Sequence, residues 1–283
     1  MPFITNHEQD PHRGRLTYLI YGWWKTGKTS LLLRMLKEHS DQVVYLLSAD
    51  KGDKQVSLTP RAFPTLAIAR PTTLGEWRAD VKEVADRVDR LISQKKRKAH
   101  NIWVAVDTIS HCQVQLLAES RKLAVSVARS GKGRIESDDE YVRDALTQVD
   151  YNVNLGHMAE ITNALGRLPC NIVYIALERR EKSDEGANPK GFATPSLSGQ
   201  ALDKIAGDAD VVARLVADDA GKRTLHIAPG SMWTAGDRTG RLSATEPADI
   251  WALHQKWLGA LPAEPEPAPA VSGPVPEPAE VQK

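Results

Sequence analysis

The 283-residue chain carries 37 basic and 36 acidic side chains, so it has no global field with which to gather a polyanion, and any nucleic-acid surface must be local. Its 41% hydrophobic and 26% charged residues are those of a globular protein, and its length allows one α/β core plus tails. Two cysteines without CxxC spacing, Cys112 and Cys170, exclude a disulfide framework and a structural zinc site, and no apolar run approaches the roughly 18–20 residues that cross a bilayer. The first residues lack the charged-then-apolar order of a signal peptide, so a cytoplasmic protein with no membrane partner is expected.

Residues 1–15 read as a flexible polar arm, 16–260 as one folded domain, and the Pro/Ala/Glu-rich segment 261–283 as a disordered tail with too little apolar surface to fold. Leu16 to Tyr21 is a β-rich apolar run, followed by a glycine motif and then by helical apolar spacing from Ser30 to His39. Gln42 to Ser48 and Thr65 to Ala69 predict a second and a third strand, with a charged amphipathic helix from Leu74 to about Lys95 ending in a basic run through Lys98. Asn101 to Asp107 is apolar almost throughout, which predicts a strand covered on both faces. Two helices, about 111–129 and 139–168, are expected around a separator at 130–137 with the composition of a mobile loop. Asn171 to Leu177 predicts a fifth strand, and the polar stretch from Glu178 to Ser198 reads as a long loop. Ala209 to Val216 and Arg223 to Ala228 flank a hairpin-like turn, and a last helix is expected over about 248–261.

The chemistry sits first in Gly22-Trp23-Trp24-Lys25-Thr26-Gly27-Lys28-Thr29, a GxxxxGK[ST] motif between a strand and a helix. Such a loop points backbone N–H groups at phosphates, while its lysine supplies charge and its final hydroxyl meets magnesium, so ATP with Mg²⁺ is the expected ligand, with Ser30 continuing the cradle. Trp23 and Trp24 read as packing residues, or as a cover for the base or for a partner surface. Asp107, at the end of a buried strand, is the candidate acid that would hold Mg²⁺ together with Thr29; capping the following helix would use the same position. Position 108 is Thr, so a hydrolytic base must come from elsewhere, and Asp50 after the second strand competes with the turn residue Asp53. Glu178 ends the fifth strand where a γ-phosphate could be sensed, and the following basic residues with Lys190 and Phe192 could hold a single strand, or form an ordinary solvated loop.

With these marks the chain resembles the RecA-core ATPases of bacteriophages that act in single-strand annealing and recombination, AAA-family ATPases in the broad sense, and more distantly RecA and the motor domain of the hexameric DnaB helicases. The resemblance spans about residues 16–243, and its further marks are Thr194 to Gly199, Asp208 to Arg214, and Ala235 to Gly240. It implies an α/β RecA-like P-loop NTPase with a mainly parallel central sheet, helices on both faces and a C-terminal antiparallel extension. It also implies ATP hydrolysis stimulated by single-stranded DNA gripped through 179–197, assembly into a homo-oligomeric ring or filament, and work beside a single-strand-binding protein. Lys28, Asp50, Asp107 and Glu178 would then act in one subunit, and Arg238 would reach the site of its neighbour. Three positions depart from the family pattern: Gly236 stands where Lys is frequent, Glu178 where Gln or His is usual, and Asp50 where RecA-like proteins have Glu. A small-molecule P-loop kinase and a nucleotide-gated binder or helicase loader with weak ATPase activity are the alternative classes.

Overall fold

The computed structural model describes residues 14–50, 62–129, 148–181, 192–230, 232–238 and 240–259. Several sequence-based expectations fall outside them: the arm up to residue 13, Asp53, the separator at 130–137, Lys190 and the tail beyond 260.

Strands β1 (Thr17–Gly22), β2 (Val43–Ser48), β3 (Leu66–Ala69), β4 (Ile102–Asp107), β5 (Asn171–Glu181) and β7 (Val211–Ala217) form the parallel part of one sheet, in the order β3-β2-β4-β5-β1-β7. The antiparallel extension follows at the β7 edge through β8 (Arg223–His226), β9 (Gly236–Asp237) and β10 (Thr245–Pro247). β6 (Phe192–Pro195) pairs antiparallel with the far half of β5. The expected architecture of a mainly parallel sheet with a C-terminal antiparallel extension is therefore present.

Both faces of the sheet are covered, because β1 and β4 alternate their apolar side chains between two cores. Leu19, Tyr21, Val104 and Val106 pack under helices α2 (Leu74–Ser93), α3 (Ile109–Arg129), α4 (Gln148–Gly166) and α5 (Gln200–Asp208). Tyr18, Ile20, Trp103 and Ala105 face α1 (Lys28–Glu38) and α6 (Ile250–Trp257). Helix α2 starts where a capping box satisfies its first amides: Thr73 accepts from the Glu76 N–H and the Glu76 side chain returns to the Thr73 backbone. Buried Asn171 fixes the strand origins, accepting from the Leu16 N–H at 3.0 Å and donating to the His100 carbonyl at 2.8 Å. Both cysteines are buried and free, and burial pushes the Cys170 thiol up to about 12. Among the described residues no helix is long and apolar enough to cross a membrane.

The segment from Glu178 to Ser198, expected as a loop, is built differently. β5 runs on to Glu181 and β6 returns beside it, with Glu178 opposite Pro195 and Glu181 opposite Phe192. Of the charges that suggested a solvated loop, Arg180 and Glu181 lie on the exposed outer end of this pairing.

Under α6, His254 is buried against Trp103 and Trp251, and its Nδ1 lies 2.8 Å from the Tyr18 hydroxyl. Burial drives its pKa down to about 3, with a smaller push from His100. The unfolded chain, with an imidazole near the ordinary value of about 6.5, therefore takes up the proton first on acidification. The stabilisation from neutral His254 is complete above that value and is lost as pH falls toward 3. Between pH 7 and pH 5 the loss should be about 2 kcal/mol. His254→Gln should flatten this acid limb in urea denaturation at the two pH values, and an unchanged slope would contradict the assignment.

Candidate functional site

The parallel strands end together along one edge of the sheet. Gly22 lies level with Leu177 and Leu215, and Asp107 with Ser48 and Ile175. The loop after β1 and the acid after β4 therefore flank the end of β5, at the carboxyl edge where open α/β sheets hold ligands.

Two glycines of the loop are required, one by close approach and one by its backbone turn. A Cβ at Gly22 would stand 2.5 Å from the Leu215 carbonyl oxygen, and Gly27 enters helix α1 at φ 92°, in the left-handed region. Thr26 Oγ1 closes the loop by donating to the Trp23 carbonyl at 2.9 Å. Lys28 curls beneath it, its Nζ donating to the carbonyls of Gly22 at 2.9 Å and Trp23 at 2.7 Å. Burial lowers the pKa of this ammonium, while Asp107, Asp50 and Glu178 oppose that shift. The lysine thus stands in the joint field of three carboxylates. Trp23 and Trp24 do not pack into the core: they are 45% and 69% exposed and meet edge to face at 5.1 Å between ring centroids.

Thr29, in the first turn of α1, donates from Oγ1 to Asp107 Oδ2 at 2.5 Å. The capping role that Asp107 could have filled belongs to its neighbour, since Thr108 Oγ1 accepts from the His111 N–H at 3.2 Å. Asp107 itself is buried and directed at Thr29. This hydroxyl and carboxylate fit a magnesium site completed by phosphate and water oxygens. Among the described residues no group of three or more His, Cys, Asp and Glu could hold an ion unaided.

Asp50 follows β2 at the same edge, its Oδ2 3.6 Å from His111 Nδ1. His111 Nδ1 also lies 2.7 Å from Thr108 Oγ1, so a histidine that the sequence did not single out links Asp50 to the Asp107 strand end. Glu178 is buried and held by the two-pronged Arg214 guanidinium, with both contacts at 2.9 Å, while Arg180 Nε lies 3.4 Å away. Arg214 had a readable signal: a charge at a half-buried position of the otherwise apolar strand Val211–Ala217 needs a partner. Gln113 on α3 clamps the ribbon's return, donating to the Ser198 carbonyl at 3.2 Å and accepting from the Ser198 N–H at 2.8 Å.

Arg238 is not part of this constellation. Its N–H donates to the Asp210 carbonyl at 3.0 Å and its guanidinium to the Gly207 carbonyl, at the opposite end of β1 and β7. The five residue steps from Thr17 to Gly22 put it about 17 Å from its own glycine loop. A cavity of about 780 Å³ opens on the other flank of α1, bounded by Gly27, Ser30, Arg34, Phe63, Arg223 and Pro247.

The model of a family described as an AAA domain matches residues 15–239. No curated protein matches the chain. Among solved structures the chain is similar to the RadB recombinase, at 15% identity over 74% of this chain and 79% of that one, with a TM-score of 0.38.

If Asp107 and Thr29 share a magnesium ion, Asp107→Asn should weaken magnesium-dependent binding of a nucleoside triphosphate roughly 10–100-fold. Binding in excess EDTA should change little, and calorimetric titrations under both conditions distinguish this from an equal fall, which would make Asp107 purely structural.

Proposed function

The chain belongs to the AAA domain family, and from that premise we propose that it binds ATP with Mg²⁺ and hydrolyses it while acting on single-stranded DNA. The observation that carries the reading is the Thr29 Oγ1 to Asp107 Oδ2 contact beside a buried Lys28, the arrangement a triphosphate and its metal require. Magnesium, when bound, would supply neutralisation of the phosphates' charge. Lys28 would exchange the carbonyls of Gly22 and Trp23 for phosphate oxygens, the loop from Gly22 to Ser30 would cradle the chain of phosphates, and Thr29 and Asp107 would hold the ion. Asp50, with His111 beside it, would orient the attacking water.

Coupling to DNA is proposed to run along β5, which is continuous from the core at Asn171 through Glu178 into the ribbon. A γ-phosphate near Lys28 would compete with Glu178 for Arg214, and the ribbon that Glu178 anchors would respond. Arg238 lies too far from its own loop to serve it, which supports action on a neighbouring subunit in a ring or filament. A nucleotide-gated binder with slow turnover is the second reading; the Glu178 carboxylate, already neutralised by Arg214, and Gly236 in place of a second cation favour it.

ATP turnover should be measurable in the full chain, should rise with single-stranded DNA, and should disappear in Lys28→Ala with the fold retained. Undiminished turnover by that variant would remove the central claim, and turnover indifferent to DNA would leave the slow nucleotide-gated binder. Arg238→Ala should reduce turnover of the assembled protein by roughly 10³–10⁵ if it is a finger in trans. Mixing it with Lys28→Ala subunits should then restore part of the activity. A rate that never exceeds the sum of the two variants would remove the role in trans and leave Arg238 a structural residue on the Asp210 and Gly207 carbonyls.

A further inference from the structure

Trp23 and Trp24, the most exposed large aromatics among the described residues, stand on the glycine loop beyond the carboxyl end of β1 as one edge-to-face pair. At the amino end of the same strand a cavity of about 520 Å³ is bounded by Thr17 and by the guanidiniums of Arg15, Arg167 and Arg238. The two acids of the cavity are engaged: Asp208 meets Lys204 at 3.2 Å, and Asp210 accepts from the Thr17 N–H at 2.8 Å. Three guanidiniums thus share the lining with two carboxylates, one of which has a cation of its own, and the cavity is left cationic. Arg15 donates from Nη1 to the Gly166 and Leu168 carbonyls at 2.8 and 2.7 Å, and Arg238 donates to the Gly207 carbonyl. A guanidinium held at its rim by hydrogen bonds keeps its flat face for an aromatic ring.

We propose that the Trp23–Trp24 pair of one copy seats in this cavity of the next, so that the chain assembles head to tail through an aromatic key and an arginine-lined lock. The proposal rests on the ring-or-filament reading above and names the contact that builds it. Key and lock cannot meet within one chain, because β1 holds them at opposite ends, about 17 Å apart. Only a second copy satisfies both, and a contact between two different surfaces of one chain repeats into rings or filaments. The chemistry is matched, since the indole face is the best aromatic partner for a cation and arginine the cation most often found on it. Seating the rings also brings Arg238, which borders the cavity, to the neighbour's glycine loop. The two indoles are therefore positioning residues for the arginine in trans. They anchor the contact without being all of it: a stable interface buries about 800 Å² per partner and an aromatic side chain about 150–250 Å². The sheet edges that close around them supply the remainder.

Sedimentation velocity of the full chain, in Mg²⁺ with a non-hydrolysable ATP analogue, reads the contact directly. Trp24→Ala removes the key and leaves the lock. Asn163→Trp, at an exposed position lining the cavity, fills the lock from its own chain and leaves the key. Arg167→Glu, which puts a carboxylate against the negative face of the rings, should act on the lock in the same way. Each variant alone should sediment as a monomer, its self-association weakened at least roughly 30-fold. Mixed in equal amounts, Trp24→Ala and either lock variant should form dimers that grow no further, because each pair holds one working key and one working lock. The glycine loop at that contact is the unaltered one, so a nucleotide site weakened by Trp24→Ala cannot imitate the result, and the dimer itself shows that both variants are folded. Wild-type association by the variants would keep the ring or filament, move its interface elsewhere and overturn the proposal. So would mixtures that stay monomeric while circular dichroism shows folded chains. A wild type that remains monomeric would overturn the head-to-tail reading and this proposal together, leaving the P-loop chemistry to stand on the turnover of Lys28→Ala.

Discussion

Because β5 lies between β1 and β4, the glycine loop and the Asp107 strand end stand two strand spacings apart, about 10 Å. That gap is what a first-turn threonine and a strand-end carboxylate can bridge, and the 2.5 Å contact from Thr29 to Asp107 spans it. Pairing β1 directly with β4 would leave no crevice, and a second intervening strand would put the two groups out of reach. Asn171 secures the arrangement from the other end, since its side chain binds the backbone just before β1 and just before β4. The register of three strands is thus set at their origins and read out at their ends.

The same edge concentrates charge in a poorly solvated place. Lys28 is buried among carboxylates, and Glu178 is buried against Arg214. Taking ions out of water costs several kcal/mol each, and mutual attraction offsets this only when geometry and hydrogen bonding are good. The Glu178–Arg214 pair meets that condition with two parallel contacts. Lys28 meets it by turning its ammonium onto two loop carbonyls. Such a lysine is poised to trade neutral oxygens for charged ones, so the loop is prepared for an anion before any arrives.

Much of the framework was legible because it rests on local chemistry. The runs Leu16 to Tyr21, Asn101 to Asp107 and Asn171 to Leu177 are apolar enough to be central strands, and all three are. What the sequence hid depends on distant partners. The end of β5 from Glu178 to Glu181 and the strand Phe192–Pro195 read as loop because they carry mixed charge and a proline, and only their pairing with each other makes them sheet. Two-residue β9 has no periodicity to read and exists because Val211 and Val212 offer an edge. Asp107 read equally as a magnesium acid or as a helix cap, and the 3.2 Å bond from the His111 amide to Thr108 gives the capping to its neighbour. Trp23 and Trp24 read either as packing residues, as indoles usually are, or as a cover for the base or a partner surface. Their exposure follows from the geometry of the loop, which no propensity encodes.

Those two indoles have a further consequence. Of the chain's seven tryptophans, Trp77 and Trp103 are sealed in the two cores, whereas Trp23 and Trp24 stand in solvent on the loop itself. A buried indole emits toward the blue and is shielded from aqueous quenchers; a solvated one emits further to the red and is open to iodide or acrylamide. The protein therefore carries an optical label on its most informative loop, and collisional quenching of the red edge follows the wetting of those two rings without a dye, a substitution or a reporter group.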